Sequence, residues 1–134
     1  KRIEQINNTD KLKAPLAFVV GKYDAWHRLV PEGEKFQEPR EEGVLRKDAI
    51  KYNSDITRRV LWKIAPGLVA QAEALSENTM FFPVSNFGAP PVNHKNEKGE
   101  TFIVPDPLKL NPMFADIPVL WLNSQFNSDL VPIR

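Results

Sequence analysis

The sequence predicts an α/β fold, a short and mostly parallel sheet with flanking helices. Three observations carry this. Residues 15–20 (PLAFVV) and 79–84 (TMFFPV) are short uninterrupted apolar runs, rich in the β-branched and aromatic side chains that favour strands. An apolar run without alternation suits a strand covered on both faces, as in parallel sheets. Each run ends in a small polar loop, Gly21-Lys22-Tyr23-Asp24 and Ser85-Asn86-Phe87-Gly88, and a helical pattern lies between them. The order is β–α–β, whose crossover is right-handed.

The elements follow in chain order. In residues 1–13 the apolar positions are Ile3, Ile6 and Leu12, and the spacing of the first two reads as the tail of a helix. The sequence opens without Met and reads as a piece of a longer chain. Residues 31–47 (PEGEKFQEPREEGVLRK) are dense in charge, proline and glycine and read as a solvated loop insertion. Over 53–76 a helix is expected, capped by Asn53 and Ser54, with Ile56, Val60, Leu61 and Ile64 on its apolar stripe. Pro66 suits the first position of a second helix, and Leu68, Val69, Ala72 and Leu75 continue the apolar face. Pro83 belongs where a missing ladder donor is tolerated. Residues 89–115 form a Pro-rich irregular segment, with a hairpin expected around Lys98-Gly99. Asp116 and Pro118 open a terminal helix, with Val119, Leu120, Leu122 and Phe126 expected against the sheet.

Composition bounds the function. A chain of 134 residues is one domain by length. Eighteen basic against 17 acidic side chains leave a net charge of +1, which argues against nucleic-acid binding by bulk charge. No cysteine is present, which excludes disulfides and thiolate metal sites. No apolar run reaches the length of a membrane span, and no leader-like pattern opens the sequence. A cytoplasmic location is expected.

The residues that carry chemistry lie at the two strand ends. Ala17-Phe18-Val19-Val20-Gly21-Lys22-Tyr23-Asp24 resembles the guanine-specificity motif of the GTPases, Asn-Lys-x-Asp. The residue types have a reason. Guanine offers adjacent donors, N1–H and the exocyclic amine, and one carboxylate accepts both. Adenine offers no such pair, so a buried carboxylate is left unpaired against it. A lysine stem can lie along the purine face while its ammonium reaches polar groups beyond. The resemblance implies that Asp24 reads the base and Lys22 covers it. Phe81-Phe82-Pro83-Val84-Ser85-Asn86-Phe87-Gly88 resembles the last GTPase motif, a strand followed by Ser-Ala-x-Gly. Ser85 is then implied to brace the aspartate, and the Asn86 backbone N–H to bond guanine O6. The helix from Ser54 to Leu75 followed by MFFPVSNFG looks like the bacterial double-GTPase proteins, as does the stretch Ile117-Pro118-Val119-Leu120-Trp121-Leu122. The resemblance runs from about Pro15 to Trp121 and implies the carboxyl half of a P-loop NTPase (GTPase-like) domain.

The departures shape the expectation. Gly21 stands where the family has Asn, and Asn86 where it has Ala. No G-x-x-x-x-G-K-[ST] and no Asp-x-x-Gly occurs, so the phosphate cradle and magnesium ligands would lie upstream on a longer chain. GTP or GDP with magnesium would bind the full-length protein, no tight binding is expected of this chain alone, and no catalytic or metal-binding residue is assigned within it. A homodimer or a partner chain is expected at the sheet edge that the absent strands would leave open. The alternative is a nucleotide-independent scaffold or interaction module that keeps the fold. A hydrolase on an α/β sheet has no nucleophile motif to support it. Two plainer readings stand beside the motifs: Asp24 as the cap of a helix beginning near Ala25-Trp26, and Ser85-Asn86 as an ordinary turn. His27 reads as a helix-surface residue, His94 as a loop residue without a metal, and Trp62 and Trp121 as core or interface.

Overall fold

The computed structural model describes residues 11–85, 92–104 and 112–134. Within them the order is β1 (Leu16–Val20), α1 (Tyr23–Trp26) with a 3-10 turn at His27–Leu29, β2 (Arg40–Glu41), β3 (Val44–Leu45), α2 (Lys47–Ile64), α3 (Pro66–Leu75), β4 (Thr79–Pro83), β5 (Val92–Lys95), β6 (Thr101–Val104) and α4 (Ile117–Phe126). The architecture is mixed α/β. β1 and β4 form a parallel pair, Leu16 facing Thr79 and Val20 facing Pro83. The other two pairs, β2–β3 and β5–β6, are antiparallel hairpins, so among the described residues one pair in three is parallel. The hairpin around Lys98-Gly99 is as expected; Asn96 accepts from the Gly99 amide at 3.0 Å.

Alternation along β1 and β4 divides the core between the two faces of the pair. Phe18, Phe81, Leu16 and Val20 share one face with Leu61, Val69 and Ala72 of α2 and α3. Ala17, Met80, Phe82 and Val84 share the other with Ile117 and Trp121 of α4, Leu45 and Ile50. Helices thus cover both faces, as the uninterrupted apolar runs predict. Coverage is incomplete at Val19, which is 49% exposed.

α2 contributes Ile50 to one core cluster and Leu61 to the other, so it crosses the outer edge of β4. Between them Ser54 Oγ accepts the Phe81 amide at 2.8 Å. The bond fits the ladder parity. Leu16 donates to the Asn78 carbonyl and Val84 donates to the Val20 carbonyl, so the amides of residues 79, 81 and 83 point away from β1. Pro83 therefore occupies an outward-facing position, where its missing donor removes no ladder bond.

Several expectations are corrected. The helix starts at Lys47, not Asn53, and Asn53 and Ser54 are buried inside it rather than capping it. Asn53 exchanges two 2.8 Å bonds with the Gln37 backbone. Of the expected helix tail at 1–13, residues 1–10 lie outside the described residues, and Leu12 is extended, bridging in parallel to Ser76. The charged 31–47 segment is no mere solvated loop: Pro39 and Leu45 in it are buried, and it forms the β2–β3 hairpin. Ile64, Leu68 and Leu75 are exposed rather than on a buried stripe. Asp116 makes no side-chain cap and instead pairs with Arg40. On α4 the buried positions are Ile117, Pro118, Trp121 and Ser124; of the four expected against the sheet, Leu120 and Leu122 are partly buried against the core, while Val119 and Phe126 face solvent. Pro66 opens α3 as expected, and Ala65 before it leaves the helical region, with φ −151° and ψ 66°, since a following proline disfavours helical backbone.

Candidate functional site

Because β1 and β4 are parallel, both chain exits lie at the same end of the pair, the end where open α/β sheets bind ligands. Two backbone bonds hold the exits together. Val84 donates to the Val20 carbonyl at 3.0 Å, and Tyr23 donates to the Val84 carbonyl at 3.1 Å. Between them Lys22 takes a left-handed conformation, φ 56° and ψ 43°, which turns the chain out of the strand and into α1. A non-glycine residue holds that region at a cost, and such strain concentrates where surrounding contacts fix it. Gly21 is not required by its own backbone, since a Cβ there would meet no atom within 4 Å.

The structure brings Lys22, Asp24 and Ser85 together. Asp24 lies in the first turn of α1 and does not cap it; the cap position is Lys22, with no side-chain bond. The Asp24 carboxylate instead accepts from Ser85 Oγ at 2.8 Å. Ser85 is fully buried, and its backbone exchanges bonds of 3.1 and 2.7 Å with Met113. Ser85 thus sits in a buried bridge to Met113, and whether a turn follows it lies outside the described residues. Lys22 is exposed beside the half-buried Asp24. Asn86 lies outside the described residues.

Beside the loop stands an aromatic cluster that motif reading misses. Tyr23 meets Trp26 edge-on at a centroid separation of 4.9 Å and Phe36 at 5.1 Å, and Trp26 meets Phe36 at 6.2 Å. The Trp26 indole N–H donates to the Gly21 carbonyl at 2.8 Å. Burial holds the Tyr23 hydroxyl above its ordinary pKa, so it stays neutral through the physiological range. The signal was the aromatic spacing itself, Tyr23, Trp26 and Phe36 flanking a polar turn, but Phe36 sits in a segment whose composition reads as solvated.

The His27 ring Nδ1 lies 3.0 Å from the Asp24 backbone carbonyl rather than its carboxylate, so Ser85, Asp24 and His27 form no proton relay. His27 is exposed, as expected, and His94 lies on β5 rather than in a loop. Among the described residues no group of three His, Cys, Asp or Glu side chains could hold a metal ion. Trp121 is core, but Trp62 is half exposed, with the Arg58 guanidinium over its ring at 5.6 Å. Those two residues, with Pro31, Arg59 and Lys63, line a shallow hollow of about 300 Å³. Its arginines are engaged. Arg58 grips Glu73 with bonds of 2.7 and 2.8 Å, and Arg59 grips Glu34 at 2.9 and 3.0 Å. The Arg58 contact holds the Glu73 carboxyl below its usual range.

Geometry thus defines a class of site: a parallel strand pair whose adjoining exits present one braced carboxylate and one lysine. The carboxylate suits a ligand edge with paired donors, and the lysine, itself a donor, suits an apolar face or an acceptor beside it; no phosphate cradle is visible in the sequence. Comparison with protein-family models, with curated proteins and with solved structures finds no match to this chain. No helix among the described residues is long and apolar enough to cross a membrane.

Proposed function

We propose that the two strand exits bind a guanine base, and that the chain is the base-recognition portion of a GTPase-like, nucleotide-binding protein. One observation supports this above the rest: the 2.8 Å bond from Ser85 Oγ to Asp24 Oδ1, which joins two motifs 61 residues apart. A hydroxyl donor on one oxygen orients the carboxylate and leaves its remaining acceptor capacity for a ligand's N1–H and amine. Lys22, exposed beside it, supplies the cover. The Asn86 backbone N–H keeps its proposed role toward O6. GTP or GDP with magnesium is the proposed ligand of the full-length protein, whose phosphate and metal contacts come from residues other than these. This chain alone is expected to hold a guanine nucleotide weakly and to hydrolyse nothing.

The test is an NMR titration of the protein with GMP and, separately, AMP at millimolar concentration. GMP is expected to shift the amides of residues 21–25 and Ser85, and AMP to leave them in place. Equal responses to both nucleotides, or none to GMP, would remove the proposal.

A second reading, a nucleotide-independent interaction module, is favoured by the outer edge of β1. Among the described residues β1 pairs with β4 alone, and ladder parity turns the amides and carbonyls of Ala17 and Val19 away from β4. An open edge of this kind is a template for another strand. This reading expects sedimentation velocity to show a dimer that grows with protein concentration; a monomer throughout counts against it.

A further inference from the structure

We propose that Trp26 is a positioning residue, and that with Tyr23 and Phe36 it forms a clamp that sets the Lys22–Asp24 loop in its binding geometry. The inference rests on the guanine-binding reading for its ligand, but its structural half stands without one. The loop needs a restraint. Lys22 sits in a left-handed conformation that an unrestrained lysine would leave, and Gly21 before it has no side chain with which to tie the turn. The Trp26 indole N–H supplies the tie, closing the turn onto the Gly21 carbonyl at 2.8 Å. The indole is itself held. Phe36 and Tyr23 both meet it edge-on, and Tyr23 is anchored through its amide to the end of β4. Phe36 is fixed from elsewhere: the next residue, Gln37, is bonded on both its N–H and its carbonyl by the buried Asn53 of α2. A continuous set of contacts therefore runs from the interior of α2 through Phe36 and Trp26 to the loop that carries Lys22 and Asp24. On this account the charged 31–47 segment is a support of the site, and Asn53, Phe36 and Trp26 act on the ligand only through the loop.

The experiment compares the protein with Trp26→Phe, which keeps a ring and deletes the donor, and Phe36→Leu, which keeps the bulk and deletes the aromatic edge. Three quantities are read: the melting temperature, hydrogen exchange at the Tyr23 amide, and affinity for GMP and XMP. The expected result is a nearly unchanged melting temperature and faster exchange at Tyr23. GMP affinity should fall about fivefold, the scale of one net hydrogen bond, with the preference for GMP over XMP intact. A preference that inverts would mean Trp26 touches the base, which overturns a positioning role. Unchanged exchange and unchanged affinity in both variants would also overturn it. If GMP fails to bind the parent protein, the guanine reading falls and Tyr23 exchange alone decides: faster in both variants upholds the clamp, unchanged removes it.

Discussion

Asp24→Asn is expected to move base preference from guanine to xanthine. The carboxylate has one oxygen engaged by Ser85 Oγ, and asparagine keeps an oxygen that can accept the same hydroxyl. What changes is the other terminus, an acceptor that becomes an NH₂ donor. Guanine then presents its amine to a donor, and the pairing is lost. Xanthine carries a carbonyl where guanine has that amine, and its O2 and N1–H match the amide. Loss of one such pairing, with polar groups left unmatched in a half-buried site, amounts to about 1–3 kcal/mol. That is between about fivefold and 150-fold in affinity. Parallel titrations of GMP and XMP against both proteins measure it. Unchanged guanine affinity in the variant would take Asp24 out of the base contact. Because the Ser85 bond survives in the design, the fold should not change, and a drop in melting temperature would point to a structural role for the carboxylate instead.

Phe81→Ala is expected to destabilise the protein by about 3–5 kcal/mol, against a total of about 5–15 for a domain. Phe81 is 1% exposed and sits at the centre of the cluster that joins β1 and β4 to α2 and α3. Its ring packs on Phe18 at a centroid separation of 5.4 Å, and its amide holds Ser54 of α2. Deleting the ring leaves a void bounded by a sheet on one side and two helices on the other, which cannot collapse without breaking that amide bond. Urea unfolding followed by far-ultraviolet circular dichroism reads the loss; less than about 1 kcal/mol would mean that the cluster is looser than its burial indicates.

The strand pair was legible because it depends on composition. A strand with helices on both faces needs an unbroken apolar run, and β1 and β4 show one. The juxtaposition of Lys22, Asp24 and Ser85 was legible for the same reason, since parallel strands put their exits at one end. The start of α2 was not legible. Asn53 and Ser54 have the short polar side chains that cap helices, yet here they satisfy backbone groups of Gln37 and Phe81 from inside the helix. Local sequence does not distinguish an amide in the same helix from one brought by the fold. The buried face of α4 was only half legible for a related reason: its residues are apolar nearly all round, so the pattern found Leu120 and Leu122 but could not choose Ile117 and Trp121 over Val119 and Phe126. Phe36, Pro39 and Leu45 were hidden because a few apolar side chains among many charges do not alter a segment's average.

Joining Asp24 to Ser85 closes a loop across 61 positions. The entropy lost in closing a flexible loop grows only with the logarithm of its length, about 0.6 kcal/mol for each doubling. Once so long a span is closed, further residues within it cost little. The exposed turn at Glu32-Gly33 is thus a tolerant place for extra chain, while the Gln37–Asn53 bonds and the Phe36 ring beyond it tie the rest of the stretch between α1 and α2 back to the molecule.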